Sequence, residues 1–224
     1  MKREVKTTND GSKTLFINEL NEGYHSGHGA LQEAQHVFIK NGLKQLNHYE
    51  INILELGFGT GLNVLVSIDE YLKNEPHQKI RYFGLEKYPV QPEEIEALNY
   101  PSLFQNPEIK IHNTKIHQIP WEEEHPILPN FHLTKIKTDF HQLASIELPP
   151  IDLVYFDCFG ARVQPDLWER PLLEMVSQKM RQGGLFTTYS SKGSVRRILQ
   201  DLGFEVEKKQ GPPGKREMLN AIKY

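Results

Sequence analysis

Three glycines at alternate positions, Gly57-Phe58-Gly59-Thr60-Gly61, follow the apolar run Leu54-Glu55-Leu56 and lead into Leu62-Asn63. Glycine tolerates the positive φ of a tight strand-to-helix turn, and without a side chain it lets a ligand lie against the backbone. Dinucleotides and S-adenosylmethionine both use such turns. The dinucleotide fingerprint places a third glycine three positions past the second, where Leu62 stands here. Glu86, at the end of a second apolar run, sits where a carboxylate accepts both hydrogen bonds of a ribose diol. Turn and acid together point to an adenosine-containing ligand.

Two more acids end apolar runs. Asp157 closes Ile151-Asp152-Leu153-Val154-Tyr155-Phe156, and Asp139 follows the segment 131–137. Open parallel sheets hold ligands at the carboxyl ends of their strands, so Gly57, Glu86, Asp139 and Asp157 are expected to meet in one crevice. An acid in either of the last two places also serves as a helix N-cap or a loop brace.

The elements that must position these residues read as alternating strands and helices. Strands are expected at 51–56, 80–85, 109–113, 131–137, 151–157, 185–189, 204–208 and 217–223. Helices are expected at 30–43, 62–72, from Pro89-Val90-Gln91-Pro92, at 165–180 up to Gly183-Gly184, and at 194–202. The stretch 120–130 reads as a loop-rich insertion. Phe16, Leu20 and Tyr24 suggest an extended or hairpin segment before Gly29, and Trp168 reads as core. The closing pair of strands is what a mostly parallel sheet with one antiparallel strand shows.

With 224 residues, 38% hydrophobic and 25% charged, the chain can bury one sizeable core. It has no apolar run of membrane-span length and no signal-like start, so a cytoplasmic protein without a membrane partner is expected. A single cysteine, Cys158, excludes an internal disulfide and a cysteine-cluster metal site. His25 and His28 are too few for a metal, and none is expected. The net charge of −3 does not announce a nucleic-acid binder. Arg196-Arg197, Lys208-Lys209 and Lys215-Arg216 nonetheless gather positive charge near the end, which would suit phosphates as well as an ordinary solvated face.

Four blocks carry a resemblance. The glycine turn 54–63, Asp157-Cys158-Phe159 leading to Gln164-Pro165-Asp166-Leu167-Trp168, Val195-Arg196-Arg197, and Lys215-Arg216-Glu217-Met218-Leu219 are together similar to the methyltransferase domain of the MnmC family of bacterial wobble-uridine modification enzymes. The resemblance runs from about Tyr24 onward. It implies an α/β fold of the class I methyltransferase type: a Rossmann-like three-layer sandwich around a mostly parallel seven-stranded sheet with one antiparallel strand. Residues 1–29 would be an N-terminal extension packed on a methyltransferase domain at 30–224. The flavin-dependent oxidase half of fused family members is absent from this sequence, so separate enzymes would supply the aminomethyl group.

The implied reaction is methyl transfer from S-adenosyl-L-methionine to the primary amine of 5-aminomethyl-2-thiouridine at the wobble position of transfer RNA. The resemblance assigns the cofactor to Glu55, Gly57, Phe58, Gly59, Gly61, Asn63, Glu86, Asp139, Phe140 and Asp157. On this reading Asp157 would be the catalytic residue, orienting the amine and accepting its proton, and Arg196, Arg197, Lys215 and Arg216 would form the RNA approach. The family pattern after the strand-end acid is usually Gly or Ala, Phe, Ala, Pro, whereas this chain has Cys158-Phe159-Gly160-Ala161. Gly211-Pro212-Pro213-Gly214 stands where the family is often more basic. A small-amine transferase of the aminopropyltransferase type and a non-catalytic cofactor-binding protein are the other readings.

Overall fold

The computed structural model describes residues 2–73 and 78–224. Strands β1 (Arg3–Thr7), β2 (Lys13–Ile17) and β3 (Glu22–Gly23) form a small antiparallel sheet. Helix α1 (Ala30–Ala34) widens into a π-helical segment, Gln35–Lys40, rather than continuing as the expected single α-helix. Gly42 ends it where a Cβ would press on the carbonyl oxygen of Phe38.

The main sheet begins with β4 (Glu50–Leu56), followed by α2 (Leu62–Lys73) and β5 (Lys79–Glu86). Next come α3 (Pro92–Leu98), α4 (Ile109–Gln118), β6 (Glu124–Leu128), β7 (Phe131–Lys137) and β8 (Ile151–Phe156). The chain then forms α5 (Arg170–Lys179), β9 (Met180–Thr188), α6 (Gly193–Asp201), β10 (Phe204–Gln210) and β11 (Glu217–Lys223). The sheet order is β10-β11-β9-β8-β4-β5-β7-β6.

Two faces of the sheet build two cores, because alternate side chains on a strand point to opposite sides. Ile51 and Ile53 of β4 pack with Phe38, Leu65 and Ile116. Leu54 and Leu56 pack with Leu172, Val176 and Leu199 from α5 and α6. Strand β8 is buried at all its positions, as a parallel strand covered on both faces must be. The expected three-layer α/β architecture is therefore present.

Several expectations need correction. Among the described residues the main sheet has eight strands rather than seven, and two of them run antiparallel to their parallel neighbours, β11 against β9 and β6 against β7. Residues 109–113 are helical, not a strand. Ile109, His112 and Ile116 are the buried positions, a helical stripe that a five-residue window hides. The insertion 120–130 contains β6, and α5 ends at Lys179, so β9 starts earlier than the paired glycines suggest.

Candidate functional site

Strands β4, β5, β7 and β8 deliver their carboxyl ends to one cleft. The glycine turn after β4 takes φ of +97° at Gly57, +47° at Gly59 and +74° at Gly61. Its first amides, Gly57 N–H and Phe58 N–H, both donate to the Leu85 carbonyl, which pins the turn to β5. A Cβ on Gly57 would stand 2.5 Å from the Asp157 carbonyl oxygen, so the turn and the tip of β8 touch backbone to backbone. The Gly59 N–H donates to Glu86 Oε2 at 2.9 Å, and Tyr88 N–H donates to Oε1 at 2.7 Å. Each oxygen of Glu86 keeps a lone pair for a second donor.

Asn63 joins this floor to a deeper acid. Its Nδ2 donates at 2.8 Å to Asp157 Oδ2 and at 2.8 Å to Glu55 Oε1. Tyr82 donates its hydroxyl proton to the other oxygen of Glu55 at 2.8 Å. Removal from water raises the Glu55 carboxyl to about 8, against the Asn63 and Tyr82 hydrogen bonds. The Asp157 carboxyl is raised to about 7, first by the surrounding protein that replaces water and then by the charge of Glu33, while Asn63 and Lys215 pull it down.

At the rim Asp139 accepts from Lys87 Nζ at 2.7 Å and from the His141 backbone N–H at 3.0 Å. These bonds, the lysine first, hold its carboxyl well below the ordinary range. Phe140 lies beside it in the cleft wall.

The cleft walls thus hold Gly57, Phe58, Gly59, Asn63, Glu86, Asp139, Phe140 and Asp157. Glu55 and Gly61 stand apart from them. Glu55 is wholly buried beneath Asn63, and a Cβ on Gly61 would face His117 of α4, so neither lines the cleft.

The basic residues also divide. Lys215 pairs with Glu33 of α1 at 2.5 Å and stands 3.7 Å over the Tyr189 ring, which places it beside the cleft rather than on an open surface. Arg197 and Arg216 are exposed, Arg196 is half-buried, and Lys208 and Lys209 are engaged by Glu217 and Glu207.

Sequence reasoning overlooked the roof. Tyr24 lies over the turn, its ring 3.2 Å from where a Gly59 Cβ would be, and meets Phe159 edge-on with ring centres 5.1 Å apart. Arg3 fixes it there, donating to the Tyr24 hydroxyl at 3.0 Å and to Glu94 at 2.8 Å. Contacts between the chain's start and α3 leave no periodic signature in the sequence. Tyr88 and His141, also cleft residues, follow strand-end acids by two positions, and that spacing was the available signal.

The donor set fits S-adenosyl-L-methionine. Bare glycine backbone faces the ligand, Glu86 has acceptor capacity for hydroxyls, and Asn63 Oδ1 is buried without a hydrogen-bond partner. An ammonium-bearing ligand supplies the donor that this oxygen lacks. Among the described residues no helix is long and apolar enough to cross a membrane.

Comparison with known proteins agrees with this geometry. A family model described as S-adenosyl-L-methionine-dependent methyltransferase matches residues 106–224. The tRNA 5-methylaminomethyl-2-thiouridine biosynthesis bifunctional protein MnmC of Leptospira interrogans is 31% identical over 217 residues, covering 92% of this chain and 33% of the relative. The protein of the same name from Idiomarina loihiensis is 30% identical over 212 residues, 88% of this chain and 34% of the relative. The chain therefore spans about a third of the length of these relatives. The crystal structure of MNMC2 from Aquifex aeolicus superposes with a TM-score of 0.81 at 26% identity, covering 99% of this chain and 70% of that one.

Proposed function

Because the chain belongs to a family of S-adenosyl-L-methionine-dependent methyltransferases, we propose that its acceptor is the primary amine of 5-aminomethyl-2-thiouridine at the wobble position of a transfer RNA, with Asp157 as the proton acceptor. The printed names of its relatives support the acceptor. The observation that carries the reading is the state of Asp157, at the cleft floor beside the glycine turn, with a carboxyl raised to about 7.

An alkylamine is mostly protonated at neutral pH, and an ammonium has no lone pair to attack with. A carboxyl that titrates near neutrality is matched to accepting that proton. Asp157 also receives a single hydrogen bond from Asn63 among the described residues, which leaves Oδ1 for the incoming amine. The bound cofactor supplies an electrophilic methyl group on a cationic sulfur. Gly57, Phe58, Gly59, Asn63 and Glu86 would hold it, with Asp139 and Phe140 at its edge. Tyr24, over the turn, and Phe159, edge-on to it, would shield the bound cofactor from water and so strengthen the polar interactions beneath them.

RNA would approach over Arg196 and Arg197 of α6 and Arg216 of the β10–β11 turn, of which Arg197 and Arg216 are exposed. Lys215 belongs to the acceptor end of that path, between Glu33 and Tyr189. The aminomethyl group must already be on the uridine when the methyl is transferred.

The test is incubation with labelled cofactor and transfer RNA from cells lacking this methylation, followed by nucleoside analysis. Label in 5-methylaminomethyl-2-thiouridine is expected with the wild-type protein and lost with Asp157→Asn. Cofactor binding without label in any RNA nucleoside overturns the acceptor assignment.

A further inference from the structure

A second cavity opens behind the glycine turn. Phe58 and Gly59 line both it and the cofactor cleft, while its remaining walls come from segment 89–101, which includes α3, from α4, and from Trp121 and Lys135. Nothing in methyl transfer as described above uses it.

Lys135 occupies a place made for an apolar side chain. On β7 the inward positions are Phe131, Leu133 and Lys135, and the lysine is only 1% exposed. Its register partner on β5 is Gly84, and the Phe58 ring fills the space that a Gly84 side chain would need. An ammonium has three donors. Here one reaches the His117 carbonyl at 3.2 Å, and the nitrogen stands 4.9 Å from the centre of the Trp121 ring. Among the described residues no carboxylate pairs with it. Buried cations normally have such a partner, since removal from water is otherwise uncompensated.

A second group in this wall is also short of a partner. His117 Nε2 is buried and makes no hydrogen bond, and burial holds the ring neutral at physiological pH. Beside these polar atoms the wall carries apolar rings. Phe58 meets Trp121 edge-on at 6.1 Å between ring centres, and Pro89 and Pro92 continue the surface. Trp121 is half-buried, so part of the indole faces the opening. At the rim Lys110 and Glu96 offer opposite charges to solvent.

An unpaired cation deep in the wall calls for an anionic group, and an indole beside it calls for a planar ring. We propose that this cavity binds a nucleoside monophosphate unit, with its phosphate at Lys135 Nζ and its base against Trp121. The unit is either a free nucleotide or a residue within an RNA strand, and the assignment stands apart from the choice of methyl acceptor.

Tryptophan fluorescence reads this directly. The chain has two tryptophans, and Trp168 is 3% exposed with its indole N–H bound to the Phe159 carbonyl, so quenching by a solute reports Trp121. With S-adenosylhomocysteine saturating the cleft, uridine 5′-monophosphate is expected to quench saturably, and uridine to bind at least about tenfold more weakly. Lys135→Met should weaken the nucleotide by about tenfold or more, and Lys135→Arg should retain it within a few-fold.

A short RNA oligonucleotide with the same Lys135 dependence identifies a polymer residue as the source, whereas nucleotide binding alone identifies a free nucleotide. Cofactor affinity measured on each variant checks that it is folded. Should Lys135→Met fail that check, Trp121→Ala, at a half-buried position, is read by equilibrium dialysis and must weaken the nucleotide at least about fivefold. Absence of saturable binding by both probes, or binding that neither substitution weakens, overturns the proposal. Methyl transfer is not a readout here, so failure leaves the acceptor reading untouched.

Discussion

Asn63 Nδ2 donates to Asp157 Oδ2 across 2.8 Å, which locks the second residue of α2 to the tip of β8. The same nitrogen serves Glu55, so one amide holds two carboxyls in fixed relation. Asn63→Ala removes both bonds. We expect a loss of about 1–3 kcal/mol in stability by chemical denaturation, because Glu55 has no water to turn to. The pH at which activity rises should also move upward, since the bond favours the charged form of Asp157.

Asp157→Asn tests the proton-transfer role. Methyl transfer should fall by about 10²-fold or more, the ordinary scale of general-base catalysis, while cofactor affinity stays within a few-fold. In the wild-type protein, a limb of the pH–rate profile near 7 is expected from this residue. A variant that retains that limb removes the assignment.

The same shift predicts a stability trend of opposite sign. A carboxyl raised in the folded state binds more protons than its unfolded counterpart between pH 4 and 7, so its contribution is full below the unfolded value and is lost as pH rises through about 7. Glu55 adds to the loss through about 8. His25 and His117, lowered to about 4 by burial, act the other way: their contribution is lost as pH falls from about 6.5 toward 4. Thermal melts of wild type and Asp157→Asn across pH 5–8 isolate the Asp157 part. The gap between them should shift against wild type as pH rises.

Gly57, Gly59, Glu86 and Asp157 were legible in sequence as residues of one cleft because strand-end chemistry is local: an apolar run followed by a glycine or an acid marks its own position. The misread segment 109–113, the start of α4, shows the limit. Ile109 and Ile111 look alike in a β-branched window, yet Ile109 is buried and Ile111 is 66% exposed, a distinction that needs the full turn to Ile116. Lys215 was legible as a charge but not as a partner of Glu33, because the two are 182 residues apart and meet only when the sheet closes. The resemblance assigned Glu55 to the cofactor, whereas strand alternation sends its side chain beneath Asn63.

Gly57→Ala combines a strained φ of +97° with a Cβ 2.5 Å from the Asp157 carbonyl oxygen. The backbone of the turn or the tip of β8 must move. Stability should drop by about 1–3 kcal/mol, and cofactor affinity should fall with it. Calorimetry on the variant reads both. Unchanged affinity would separate the turn from the ligand.

Salt dependence separates the basic residues. Replacing Arg197 or Arg216 by Ala should lower the slope of log affinity for transfer RNA against log salt by about 0.7–0.9 each. Lys215→Ala should instead reduce turnover with little change in that slope, because its ammonium is held by Glu33 and Tyr189. Filter binding at several salt concentrations distinguishes the two classes.

The link between α1 and the β10–β11 hairpin has a consequence for biosynthesis. Lys215 reaches Glu33, Asn220 donates to the Asn41 carbonyl, and His36 Nε2 meets the Gln210 carbonyl, all over sequence separations above 170 residues. These closures are slow to form and cannot begin while the hairpin is still within the ribosomal tunnel. A nascent chain therefore carries residues 54–63 of the glycine turn long before its cleft is braced, and that bracing waits until residues 210–220 have left the tunnel.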